Sequence, residues 1–305
     1  MPKFSIIMPC YNAEETLNAT IASIKGQSFT DWELICVDDG SQDFTLKRLH
    51  EWMKHDPRVR VLPQEKQGPS AARNRGASAA KGEILCFCDA DDLWVNTKLS
   101  ELAKAFETPT TDGVYGQIAF FKRKGHAETY STVGPGPLSI NELMGENPVC
   151  TMSNFAVRRE IMEASGGFAE ALVHNEDLEW LIRIIGMGAV IKPLNSLQVW
   201  YRTSTGGLSS DLRKMAHSRR LAMTTAARFG YRPSARNEAI YLRYLARRAL
   251  RLERGRGAAL GLVLQGLVTS PSGFLYPFRR GGATALAALI APFVPNPLLR
   301  RILSK

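Results

Sequence analysis

The first hundred residues alternate short apolar runs with helix-like stretches, and that rhythm limits the folds open to them. FSIIMP (4–9), WELICVDDG (32–40), VRVLP (59–63) and EILCFCDADD (83–92) read as four strands. Between them, EETLNATIASIKGQ (14–27) carries Leu17, Ile21 and Ile24 at helical spacing, and DFTLKRLHEWM (43–53) and PSAARNRGASAAKG (69–82) also read as helices. NTKLSELAKAF (96–106) follows as a fourth helix, with Asn96 expected at its N-cap. Strands this apolar, each separated from the next by one helix, predict a parallel sheet covered on both faces, hence an α/β fold.

Beyond Asp112 the rhythm loosens. GVYGQIAFFKR (113–123) predicts one or two strands, and VGPGPLSI (133–140) a loop by its Gly and Pro content. SNFAVRREIMEASGGF (153–168) predicts a strand, then a helix stopped at Gly166-Gly167. NEDLEWLIRIIGMG (175–188) predicts an amphipathic helix with Leu178, Leu181, Ile182 and Ile185 on its apolar side.

Two of the strands end in acid, one in Asp38 and Asp39, the other in Asp89, Asp91 and Asp92. In open α/β sheets ligands bind beyond the carboxyl ends of the strands. Three carboxylates within four positions repel one another at neutral pH, and nothing in the stretch neutralises them. A hard divalent cation, Mg²⁺ or Mn²⁺, suits such oxygens and is typically completed by substrate phosphates. The bland alternative, that the aspartates only cap the next helix or turn, is the better reading for a lone Asp and the poorer one for DxDD at a strand end. Neither GxGxxG nor GxxxxGK[ST] occurs, so a dinucleotide or P-loop phosphate cradle is excluded.

Several ordered motifs now carry a resemblance. Residues 4–43, GPSAARNRGASAAKGEILCFCDADD (68–92) and NEDLEWLIRI (175–184) are similar to the family 2 glycosyltransferases, inverting enzymes of the GT-A fold, over about residues 3–207. The resemblance implies that Pro9 and Tyr11 line the base pocket and that Asp39 accepts from the ring N–H of uracil or its equivalent. It implies that Arg73 reaches the nucleotide, that Asp89 faces the ribose or the metal, and that Asp91 coordinates the metal. Asp177 corresponds to the catalytic base, which takes the acceptor's proton as inversion proceeds; Glu176 beside it is the weaker candidate. Taken singly, Tyr11 and Arg73 read equally well as packing and surface charge, and an isolated Glu-Asp pair as acid in the first turn of a helix. LQVWYRTSTGGLSS (197–210) resembles the family's YRxHxxS stretch but carries Ser204 where many members have His, so Arg202 or a neighbour would have to compensate. The QxxRW signature of processive synthases is absent, and transfer of a single sugar is expected. UDP is the nucleotide expected first, with GDP and dTDP as alternatives.

Charge divides the chain. Residues 206–305 hold 18 basic and 3 acidic residues, a net of +15, whereas residues 1–205 hold 21 basic and 26 acidic, a net of −5. The expected organisation is a catalytic domain over 1–207 and a basic, mostly helical region over 208–305. Within the latter, NEAIYLRYLARRALRLERGR (237–256) places Arg243, Arg247 and Arg251 on one helical face. GAALGLVLQGLVTSPSGFLYPF (257–278) and GGATALAALIAPFVPNPLL (281–299) are free of charge and bracketed by arginines. Three readings compete: a soluble helical cap, a surface bedded among anionic lipid head groups, and a membrane span; the second is favoured, bringing the enzyme to a saccharide or polyprenyl-linked acceptor. Nucleic acid is not an expected partner, since few aromatics are interleaved with the arginines. A nucleotidyltransferase lacks its Gly-rich basic loop here, and a nucleotide-sugar binder without turnover is the remaining rival. Five cysteines without a CxxC pair, four of them in or at the ends of apolar runs, and no signal-peptide core predict reduced thiols and a cytoplasmic protein at the inner face of the membrane.

Overall fold

The computed structural model describes residues 1–123, 125–203, 211–252 and 256–294. Two compact units emerge, one of Met1–Leu138 with Val149–Thr203, the other of Ser139–Pro148 with Ser204–Lys305. The first is built on strands β1 (Phe4–Cys10), β2 (Trp32–Asp39), β3 (Val59–Gln64), β4 (Ile84–Phe87), β5 (Leu93–Trp94), β6 (Gly113–Arg123), β7 (His126–Tyr130), β8 (Phe155–Arg158) and β9 (Ile191–Arg202). Its helices are α1 (Leu17–Lys25), α2 (Thr45–His55), α3 (Pro69–Ala79), α4 (Lys98–Phe106), α6 (Arg159–Ser165) and α7 (Glu176–Gly186).

The sheet runs β3-β2-β1-β4-β8-β6-β9-β5, with β7 paired to β6. The first four of these strands are parallel, as their near-continuous apolar runs require. β8 then enters antiparallel to both β4 and β6, so the later half is mixed. The chain lays β2 and β3 on one side of β1 and returns to place β4 on the other, which makes the β1–β4 boundary the switch point where ligands bind.

Both faces of the parallel half are covered. Leu17, Ile21 and Ile24, the three residues singled out by spacing, are buried on α1 against Phe4, Ile6 and Met8. On the opposite face α3 sits so close to the sheet that a Cβ on Gly76 would come within 2.5 Å of Ile7 Cγ2 and 3.3 Å of Val37 Cγ2. The run of small residues in α3 is thus what lets this helix settle onto β1 and β2.

Three sequence expectations are corrected. The strand foreseen over 83–92 ends at Phe87; the aspartates occupy a turn, closed by the Asp92 N–H to the Asp89 carbonyl, and Leu93–Trp94 pairs separately with β9. Crowded carboxylates are tolerated in such a turn and not in a ladder between buried neighbours. Thr97, not Asn96, occupies the N-cap position of α4. On α7, Ile184 is buried and Ile185 only half so, because Trp180 draws the helix in against Phe87, Phe155 and Phe168.

The second unit is formed by α5 (Ile140–Gly145), α8 (Leu212–Arg228), α9 (Ala235–Arg251), α10 (Arg256–Thr269), α11 (Pro271–Leu275) and α12 (Phe278–Ile290). Along the arginine face of α9, Arg243 is buried, Arg247 half-buried and Arg251 exposed. Arg243 is buried and donates to the carbonyls of Gly273, Phe274 and Tyr276, and burial lowers the pKa of Arg247 to about 10. Glu146 answers this charge, accepting two bonds from Arg280 at 2.7 and 3.1 Å and lying 3.8 Å from Arg243. Among the described residues no helix is long and apolar enough to cross a membrane. All five cysteines are free thiols, with Cys10, Cys36, Cys86 and Cys88 buried.

Replacing Gly76 by Ala should force α3 away from β1 and cost about 1–3 kcal/mol, read as a lower urea midpoint. Glu146→Gln should cost about 2 kcal/mol by leaving Arg243 and Arg280 without their carboxylate, measurable in the same titration.

Candidate active site

The carboxyl ends of β1, β2 and β4 bring Tyr11, Asp39 and Asp89 to one edge of the sheet. What organises this edge is Arg73. Gly76 seats α3 on the sheet, and one turn earlier the buried Arg73 guanidinium lies between two acids, donating to Asp89 Oδ1 at 2.8 Å and Glu176 Oε1 at 3.0 Å. Burial opposes its charge, but Asp89 and Glu176 outweigh burial and hold its pKa above the ordinary value. Arg73 thereby ties the DxDD turn to the start of α7.

Asp89 is held on every side. Its Oδ2 accepts from the Thr151 hydroxyl at 3.0 Å, and its backbone N–H donates to Ser153 Oγ at 2.9 Å. Asp92 is fully buried, accepting the Arg202 N–H at 3.0 Å on Oδ1 while Oδ2 has no hydrogen-bond partner. Burial, then the charges of Asp91 and Asp89, push its pKa well up. Asp91 is half-buried; burial, then the charge of Asp89, push it up to about 6 against its own backbone N–H and the nearby Arg202. Arg202 also donates through Nε to the Asp91 carbonyl at 3.0 Å, so this residue is brought to the DxDD turn. Ser204 lies outside the described residues.

The carboxylates therefore sit where burial and mutual repulsion work against their charge, and added positive charge would relieve both. Among the described residues no three or more His, Cys, Asp or Glu side chains are gathered as a ready-made metal site. A Mg²⁺ or Mn²⁺ site of one or two carboxylates completed by phosphates needs no such group. Asp91, with oxygen donors and a raised pKa, fits that requirement, and Asp89 stands beside it.

Asp177 lies in the first turn of α7, whose register is set by Trp180 in its aromatic socket, the indole N–H donating to Ser165 Oγ at 2.9 Å. Burial, then the charge of Glu176, push Asp177 up to about 7 against the Leu178 N–H and Arg73. A carboxyl poised there is suited to taking a proton near neutrality. Glu176, the weaker candidate from sequence, is committed to Arg73.

At the other end of the edge, Asp39 is buried and already accepts from Gln64 Nε2, the Gln67 N–H and the Gly68 N–H, each at 2.8 Å. It thus caps the entry to α3 from the end of β2, and Gly68, at φ 95°, supplies a backbone that other residues rarely adopt. Three bonds leave a carboxylate about one of its roughly four acceptor positions. Tyr11 is 42% exposed, with Lys66 Nζ 3.8 Å from its ring centroid. Pro9, half-buried, pairs with Val37 just inside the edge.

Thr151, Ser153 and Lys66 were not foreseen. No spacing in the sequence marks them, because each reaches its partner across the fold. Lys98 was missed too: it is fully buried beneath the turn, 4.8 Å from the Trp94 ring, and burial lowers its pKa to about 8. The three non-glycine residues with positive φ among those described, Asn12, Cys150 and Asn175, each sit next to a site residue, at Tyr11, Thr151 and Glu176 respectively. A concavity of about 420 Å³ lined by Met1, Lys3, Asp31 and Glu83 lies at the amino ends of the strands, away from all of this, and Lys3 pairs there with both acids.

A parallel sheet with acids clustered at its switch point, tied through Arg73 to the acidic first turn of α7, is a site suited to a nucleotide-type ligand. The sequence model of glycosyl transferase family 2 matches residues 5–166, more than half of the chain, and the chain belongs to that family. It is 44% identical over 127 residues to an uncharacterized glycosyltransferase of Haemophilus influenzae, covering 41% of this chain and 51% of that one. To WfgD of Escherichia coli, a UDP-Glc:alpha-D-GlcNAc-diphosphoundecaprenol beta-1,3-glucosyltransferase, it is 33% identical over 141 residues, 46% of this chain and 54% of that one. The chain thus spans about half the length of these curated relatives. The UDP complex of residues 1–349 of S. aureus TarS superposes with a TM-score of 0.60 at 18% identity, covering 99% of this chain and 90% of that one, and so shares the GT-A fold. Family membership does not favour the nucleotidyltransferase alternative.

Arg73→Met should leave Asp89 and Glu176 buried beside an apolar chain and lower stability by about 3–5 kcal/mol, whereas Arg73→Lys should recover only part of that loss. Chemical denaturation of the two variants checks the difference.

Proposed function

We propose that this chain transfers a single sugar, with inversion, from a nucleoside-diphosphate donor to a lipid-linked saccharide acceptor. UDP is the first choice of nucleotide, in line with the UDP-Glc donor of the WfgD relative and the UDP bound to TarS. The undecaprenol-linked substrate in that relative's name supports an acceptor of the same class here. Residues 1–207 would form the catalytic domain and 208–305 the region that meets the membrane, at its cytoplasmic face.

The observation that carries the reading is the single Arg73 bridge that joins the donor-side carboxylate to the helix bearing the base. Tyr11 offers an exposed ring to the base, and Asp39 keeps an acceptor position for a ring N–H. Asp91 and Asp89 would hold Mg²⁺ or Mn²⁺, which when bound neutralises charge on the departing diphosphate. Asp177 takes the proton of the acceptor hydroxyl. The acceptor oxygen forms its bond to the anomeric carbon on the face opposite the donor's phosphate, the carbon–oxygen bond to phosphate breaks, and the diphosphate leaves with the bonding electrons. Arg202 braces the turn that presents Asp91 and Asp92.

Titration calorimetry with UDP and GDP, with and without Mn²⁺, tests the donor site. Metal-dependent binding of one nucleotide, lost in Asp91→Ala, is the expected outcome; absence of any metal-dependent nucleotide binding would remove the reading.

The base makes a signed prediction. Asp177 must be ionised to accept a proton, so kcat/KM should rise about tenfold per pH unit below 7 and level off above it. Glu176→Gln removes a charge that raises this pKa, so the limb should move to lower pH. Linkage runs the opposite way for stability: between the ordinary carboxylate value and 7, the folded chain keeps a proton that the unfolded chain has lost. Asp177→Asn should therefore abolish transfer while raising stability at pH 8 by on the order of 1–2 kcal/mol, visible as a higher Tm.

A further inference from the structure

In the second unit, α10 and α12 pack against each other and against α9, using Ala259, Val263, Ala287 and Ala288 around Ala246 and Ala249. Among the described residues, their opposite faces carry exposed apolar side chains. Leu264 and Val268 stand one turn apart on α10, and Phe278, Leu286 and Leu289 follow helical spacing along α12, with Phe293 just beyond it. Val268 and Phe293 are each 87% exposed and Phe278 74%. Scattered exposed residues are ordinary on a soluble surface, but six large ones on two adjacent helices are a patch that calls for a partner.

Charge selects that partner. From residue 254 to 305 the chain contains seven basic residues and no acid, and Arg279 and Arg280 are exposed at the start of α12. A second copy of this chain docking through the same face would set Arg279 against Arg279, and Glu146, the carboxylate beside Arg280, is already bonded to it. A surface both apolar and anionic satisfies the aliphatic and aromatic side chains and the guanidinium groups at once. Neither helix is long enough to cross a bilayer, so the face beds at the interface.

We propose that the outward face of α10 and α12 is a docking surface for an anionic lipid bilayer, with Phe278, Leu286, Leu289 and Phe293 entering the acyl boundary and Arg279 meeting head-group phosphate. This inference rests on the proposal that residues 208–305 meet the membrane, and its failure would leave nucleotide binding and sugar transfer untouched.

Co-sedimentation of the full chain with vesicles of phosphatidylglycerol and phosphatidylcholine, against pure phosphatidylcholine, tests it. The expected result is partition onto the anionic vesicles, weakened by salt, at least tenfold lower for the double variant Leu289→Glu/Phe293→Glu and several-fold lower for Arg279→Glu. Because these side chains are exposed, unchanged circular dichroism and thermal melts should show the variants to be folded. No partition of the wild type onto anionic vesicles at low salt would overturn the proposal, as would undiminished partition of the double variant. A concentration-dependent dimer that the double variant dissociates, without lipid binding, would reassign the face to a second copy.

Discussion

One guanidinium holds two acids apart and together. Arg73 reaches Asp89 and Glu176 from a buried position, so the loop after β4 and the first turn of α7, nearly ninety residues apart in sequence, share one charge. An ion pair buried to this degree seldom adds much net stability, because desolvation consumes most of the attraction. What it supplies is registration: neither carboxylate can shift without stranding the other. The requirement propagates outward. Arg73 must be carried close to the sheet, which demands a helix with Gly76 against β1, and Asp39 must meet the amino end of that helix, which demands Gly68.

Around this link the site accumulates unfavourable arrangements that the rest of the first unit must support. Asp91, Asp92 and Asp177 all have raised pKa values, and burial is the leading cause for each. Asn12, Cys150 and Asn175 adopt left-handed backbone at the site's margins. Asn accepts that conformation readily; Cys does not, and its position directly before Thr151 places the strain beside a hydroxyl that fixes Asp89. The aromatic socket of Trp180 and the apolar sandwich over β1, β2 and β4 provide the compensating stability.

Much of this was legible because burial leaves a plain pattern. Residues buried on both faces of a parallel strand must be apolar in unbroken runs, and β1 to β4 were readable for that reason. The DxDD turn and the Glu-Asp pair were readable because their residues are adjacent in sequence. Thr151, Ser153 and Lys66 were not, since a hydroxyl or an ammonium that meets its partner across the fold leaves no local trace. Arg73 was marked by its motif, but its bridge between Asp89 and Glu176 was not, because a sequence shows a charge and not the direction in which it turns. Helical spacing placed Arg243 and Arg247 on one face of α9, and only packing showed that α11, α12 and Glu146 lie against that face.

The ten residues from Ser139 to Pro148 belong with the chain's last third although they interrupt its first two. Ile140, Leu143 and Met144 are buried there, Arg219 donates to the Met144 carbonyl, and Asn237 donates to that of Asn141. The polypeptide therefore passes between the units three times, and no single cut separates them. A fragment ending at Thr203 would keep α5 but lose α9, against which it packs, exposing Ile140, Leu143 and Met144. The basic region is for this reason no detachable appendage: as a unit of inheritance or of engineering, the two halves travel as one piece.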